Sequence, residues 1–240
     1  TNVKTEAGIR ARQKPPEMSL IGQFNWARNG AYDMYPLGES VDDGGFVLDA
    51  IERNKIAPKE EALLRIVQKY KKMGYPVLIF YLQTERRPIQ FRLMDQFNKH
   101  GMKLTYMPET ETHRVAFMER ALEMGADAVI CNPGLVREGI DLIQFKCTVW
   151  YGVTDDAVLV DQANARNHRI GQEQETHVYY LAYNETYQSD RWKNTAKKVA
   201  AMSAMHGDVR SGLAALLGET DLISTIQDVM IDYPRSDSDV

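Results

Sequence analysis

Two segments carry the residue types from which phosphate chemistry is built. The first, NPGLVREGIDL at 132–142, brackets the charged pair Arg137 and Glu138 between Gly134 and Gly139 and leads to Asp141. Glycine lets backbone approach a ligand closely, and a carboxylate just beyond it can accept hydrogen bonds from ribose hydroxyls. The same composition also suits a loop whose charges face solvent. The second segment, QANARNHRIGQ at 162–172, places Arg166 and Arg169 three residues apart, with His168 between them and Gln162 one turn earlier. On a helix that spacing puts both guanidiniums on one face, where they suit a polyphosphate and the charge developing on it. The alternative is a solvated basic helix end, favoured by the helix dipole.

The elements around these segments form a repeating pattern. PKEEALLRIVQKYKKMG (58–74) places Leu63, Leu64, Val67 and Tyr70 on one stripe and ends at Gly74, which predicts a helix with a C-terminal glycine. PVLIFYL (76–82) is a short continuous apolar run, the pattern of a strand buried on both faces in a parallel sheet. Helix and strand then alternate: PIQFRLMDQFNKHG, MKLTYM, THRVAFMERALEMG, ADAVIC, the strand KCTVWYGV, the helix AVLVDQANARNHR closed by Gly171, and the strand THVYYLAY. This alternation predicts an α/β domain over 57–184, a parallel sheet with helices on both faces. In open sheets of that kind ligands bind beyond the carboxyl ends of the strands, which directs attention to the two segments above. Residues 1–56, with Pro15-Pro16, FNWARNGAYDMY and GESVDDGGF, read as an irregular arm or the tail of a preceding module, with one short strand at FVLDA. Residues 185–240 read as a helical extension, SDRWKNTAKKVAAMSAMHG, SGLAALLG and DLISTIQDVMIDY, followed by a polar tail. In the first of these helices Trp192, Ala196, Val199 and Ala200 recur at near-helical spacing beside Lys193, Lys197 and Lys198. It is read as an amphipathic cover for the sheet, the alternative being a brace that touches phosphate.

Composition narrows the classes. The chain has 240 residues, 44% hydrophobic and 26% charged, with a formal net charge of −4. These ordinary globular values exclude wholesale disorder, collagen and a disulfide scaffold. Cys131 and Cys147 both lie in apolar runs and read as buried free thiols of a reducing compartment. No apolar stretch approaches the roughly 20 residues that span a bilayer, and the expected location is intracellular, cytoplasmic or nuclear. His100, His113, His177 and His206 have no metal-ligand spacing. The acidic balance argues against nucleic-acid binding by bulk charge, so any such contact must be local.

In the order VLIFYLQT (77–84), NPGLVREGIDL and QANARNHRIGQ, the chain resembles motifs IV, V and VI of the superfamily-two helicases. The form of 162–172, ending in Gln172, is most similar to the Swi/Snf branch of double-stranded-DNA translocases. The resemblance implies a RecA-like C-terminal lobe. It implies that Arg166 and Arg169 are arginine fingers for ATP bound on a first lobe, and that Gly139, Asp141 and Gln162 approach that nucleotide. It further implies that Thr84 and Arg114 contact the nucleic-acid backbone. The implied partners are the N-terminal RecA-like lobe of the same polypeptide and double-stranded DNA, with no membrane. The implied cofactors are ATP and Mg²⁺ in the complete two-lobed enzyme, neither held tightly by this chain alone.

The chain departs from the family at Ala165, where glycine is usual, at Pro133, near a usual threonine, and at TDDAVLV (154–160), where Trp-Asn-Pro usually precedes motif VI. It contains no GxxxxGK[ST] and no Asp-Glu pair after a strand, so neither a phosphate loop nor a Mg²⁺ site is expected in it. With no initiator methionine, it is expected to be the second lobe of a larger motor, inactive alone. Two other readings stand beside this one. One is a degenerate lobe acting as a non-catalytic scaffold for a partner protein. The other is a stand-alone nucleotide-binding domain, against which the missing glycine fingerprint argues.

Overall fold

Three successive helices end on a glycine in the left-handed region, and each is followed by a strand. They are α1 (Pro58–Lys72), α2 (Ile89–Lys99) and α3 (Arg114–Glu123). Gly74 has a φ of 79°, which a side chain would strain, and the pattern recurs at Gly101 and Gly125. The computed structural model of the chain describes residues 40–41, 47–48, 56–82, 89–136, 140, 142–167, 175–183 and 187–205. The helices read in 211–233 lie outside these residues. So do Thr84, Arg137, Glu138, Gly139, Asp141, His168, Arg169, Gly171 and Gln172.

The strands are β1 (Ser40–Val41), β2 (Val47–Leu48), β3 (Val77–Phe80), β4 (Leu104–Tyr106), β5 (Ala128–Cys131), β6 (Cys147–Trp150) and β7 (His177–Tyr180). β1 and β2 form a small antiparallel pair. The other five form one parallel sheet in the order β4-β5-β3-β6-β7, so the first strand of the domain lies at its centre. β3 and its neighbours β5 and β6 are buried along their whole length, as continuous apolar runs require. Among the described residues two further helices follow, α4 (Ala157–Ala165) and α5 (Tyr187–Met205).

Side-chain alternation along the strands divides the interior into two layers. Val77, Ile79, Ala128, Ile130, Cys147 and Val149 pack with α1 and α2 through Leu63, Val67, Tyr70, Leu93 and Phe97. Leu78, Phe80, Val129, Cys131 and Trp150 pack on the opposite face with α3, α4 and α5. That second layer also takes Leu135, Val136, Ile140, Leu142 and Phe145, because the connection from β5 to β6 crosses β3 on this side. The sheet therefore has helices on both faces, as the sequence pattern predicts.

Helix α5 belongs to this core. Trp192, Ala196, Val199 and Ala200 are buried, whereas Lys193, Lys197 and Lys198 are exposed, as an amphipathic cover requires. Its polar edge is tied to the loop after β6. Arg191 holds the Asp155 carboxylate in a two-pronged pair, Nε to Oδ1 at 2.7 Å, and Thr195 Oγ1 donates to the Thr154 carbonyl at 2.7 Å.

Candidate functional site

The segment 132–136 is built as a closed turn. The Asn132 side chain accepts from the Gly134 N–H at 2.9 Å and opens a 3-10 turn over Pro133–Leu135, with proline supplying the fixed φ of its first position. The other end of the Asn132 amide donates to Glu109 Oε1 at 3.1 Å. Arg114, the first residue of α3, donates from Nη1 to the Leu135 carbonyl at 2.8 Å and from Nε to the Glu111 carbonyl at 3.2 Å. Its half-buried guanidinium is thus tied to the very turn that leads towards Gly139 and Asp141.

Helix α4 opens with Asp156, whose Oδ1 accepts from the Leu159 N–H at 2.9 Å, and presents Gln162 on its exposed side. The helix ends at Ala165, with Arg166 as its C-cap. The described helix therefore stops short of the expected run, and Arg169 and Gly171 lie outside the described residues. The cause is tertiary. The Asn167 N–H turns back to the Asn164 carbonyl at 3.1 Å, and the Arg166 carbonyl accepts from the Leu142 N–H at 3.1 Å. The Asn167 side chain, in turn, donates to Thr148 Oγ1. Bonds to β6 and to the 142 segment thus take up the polar groups of residues 166–167.

These bonds also place the site. α4 starts beyond the carboxyl end of β6 and runs back along the sheet, so that Asn167 reaches Thr148, two residues before the end of that strand. Arg166 thus lies between Asn164, bonded to the last residues of β6 and β7, and Asn167, bonded to Thr148. The two candidate segments still converge there, joined by the Leu142–Arg166 backbone bond.

A polar cluster not marked in the sequence surrounds the end of α4. Trp150 Nε1 donates to Asn164 Oδ1 at 2.9 Å, and Asn164 Nδ2 donates to the Tyr180 hydroxyl at 2.7 Å. Trp192 stacks edge-on against Trp150 at 5.9 Å and Tyr180 at 4.9 Å. Burial holds the Tyr180 phenol well above its ordinary range. The one available signal was the pair of asparagines flanking Arg166, which disfavour helix continuation and seek local partners.

No family model matches this chain, and no curated protein matches it. Among solved structures, it is similar to the crystal structure of the C-terminal part of the Fun30 ATPase domain. The TM-score is 0.53 at 16% identity, over 61% of this chain and 48% of that one. The chain thus spans about half the length of the structure it matches. In fold, it is a RecA-like α/β lobe similar to the C-terminal part of the Fun30 ATPase domain.

Proposed function

We propose that the chain is the second motor lobe of an ATP-dependent double-stranded-DNA translocase, supplying Arg166 and Arg169 to ATP bound on a first lobe. The observation that carries this reading is the backbone bond between Arg166 and Leu142, the residue that follows Asp141 in the sequence. Arg166 is a half-buried guanidinium, a pure donor suited to an anion. Gly139, Asp141 and Gln162 are assigned to the nucleotide. Mg²⁺ is assigned to the first lobe, as the family resemblance implies. ATP supplies the transferable phosphoryl group, and this chain's part is to stabilise the charge that develops on it.

An arginine that meets phosphate only when two lobes close stabilises the transition state more than bound substrate. In the two-lobed protein, Arg166→Ala and Arg169→Ala should each lower kcat by about 10³-fold or more with ATP affinity nearly unchanged. Arg169→Lys should recover little, because lysine lacks the planar fork. Single-turnover hydrolysis, with thermal melts as control, measures this. Near-wild-type turnover by folded variants would remove the finger assignment. The 240-residue chain alone should hydrolyse no ATP.

A second reading, a degenerate lobe that serves as a protein-binding scaffold, is favoured by one feature. The 132–136 turn spends its polar groups internally, on Gly134, Glu109 and the Arg114–Leu135 contact, where a DNA-tracking loop would offer donors to phosphate. Undiminished hydrolysis in both arginine variants would favour that reading.

A further inference from the structure

The four residues 164–167 are fastened at three points, and Arg166 lies between them. Before it, Asn164 bridges the ends of two strands, accepting from Trp150 at the end of β6 and donating to Tyr180 at the end of β7. After it, Asn167 is tied to Thr148 in β6, a fully buried hydroxyl. At Arg166 itself the carbonyl is held by Leu142. A roll of this nine-residue helix about its axis would break the Asn164 bonds, because the two ends of that amide are held by different strands.

We infer that Asn164 is a positioning residue for Arg166, fixing the roll of α4 and with it the direction in which that guanidinium leaves the helix. Trp150 and Tyr180 are its anchors, and Trp192 from α5 packs edge-on against both rings. An amide is well suited to this task, since the Trp150 indole can only donate and therefore requires an oxygen. The Tyr180 hydroxyl is indifferent, able to accept from an amide or donate to a carboxylate. Asparagine and aspartate are thus both competent at 164, whereas an apolar side chain of similar size is not. The functional consequence rests on the reading of Arg166 as a phosphate-facing group; the positioning itself does not.

The test begins with the 240-residue chain labelled with ¹⁵N, following the Arg166 Nε–H resonance, which is identified by its loss in Arg166→Lys. In Asn164→Leu this resonance should shift, and its heteronuclear NOE should fall towards that of a mobile side chain, with a cooperative melt retained. Asn164→Asp should keep the wild-type signal. Tyr180→Phe, which removes one bond and leaves the Trp150 contact, should displace it by a smaller amount, and this variant decides the matter should Asn164→Leu fail to fold. In the two-lobed protein, Asn164→Leu should lower kcat by up to about 10²-fold, the cost of misplacing a reacting group by an ångström, with the KM for ATP unchanged. An unaltered Arg166 resonance in folded Asn164→Leu, or in Tyr180→Phe, would overturn the positioning role. Should the resonance respond as expected while Arg166→Ala hydrolyses ATP normally, the positioning stands and the finger reading falls.

Discussion

Cys131 and Cys147 show how far burial alone shapes a residue's chemistry. Both are free and fully buried thiols on neighbouring strands of β3. Burial pushes the Cys147 thiol up to about 12, only partly offset by the Tyr70 hydroxyl and Lys69, and raises Cys131 further. Tyr70 and Tyr81 are raised for the same primary reason. The sign of the resulting pH dependence follows directly. In the unfolded chain a thiol loses its proton near the ordinary 9.0, while in the folded chain Cys147 keeps it to about 12. Above pH 9 the folded state therefore binds more protons, and stability is complete below that pH and falls as pH rises. Each thiol contributes a slope of about 1.4 kcal/mol per pH unit within its window. Urea midpoints at about pH 8 and about pH 10 should show the loss, and Cys147→Ala should lessen the slope even if it lowers the midpoint at pH 8. A midpoint indifferent to alkali would contradict the burial of these groups.

At the scale of elements, the amino-terminal rim of the sheet is fastened by one carboxylate. Asp127, just before β5, accepts from the Lys103 N–H at 2.7 Å and from Lys71 Nζ at 2.9 Å, and Lys71 also donates to the Gly101 carbonyl at 2.7 Å. One side chain thus joins the ends of α1 and α2 to β4 and β5. Asp127→Ala should cost about 1–2 kcal/mol in denaturant unfolding, discounted for the exposure of Lys71, with m unchanged. A loss below experimental error would show that the rim holds without it. Elements of this kind were largely legible in the sequence. The apolar runs of β3, β5 and β6 and the glycines closing α1 to α3 mark their own positions, because burial and chain reversal leave compositional traces. Strand order left none, since nothing in the residues of β3 says that it sits between β5 and β6. The end of α4 was misread because the signal of Asn164 and Asn167 against helix is weak, and bonds with Thr148, Trp150, Tyr180 and Leu142 decide where the described helix ends. The candidate residues were marked by their motifs, whereas the contact between Leu142 and Arg166 left no trace in the sequence. The asparagine bridge beside Arg166 became visible only when β6 and β7 were brought together.

For the whole molecule, charge is the governing quantity in any encounter with DNA. The chain is net −4, and Glu109 stands against the turn beyond β5, while the exposed lysines of α5 lie on the outer side of that helix. Binding of the 240-residue chain to duplex DNA should therefore be nonspecific, with Kd of about 10⁻⁴–10⁻⁶ M or weaker and a steep fall with salt. Fluorescence anisotropy across a salt series measures both. Nanomolar affinity insensitive to salt would require a contact surface that this charge distribution does not supply. The division of the interior by the sheet has a consequence of another kind. Cys131 faces the layer under α3, α4 and α5, and Cys147 the layer under α1 and α2. The protein has two interiors separated by a wall of backbone, with one dormant thiol in each. A reagent that meets only opened thiols would time the two interiors separately, so the chain carries a pair of clocks that tell whether its halves come apart together or in turn.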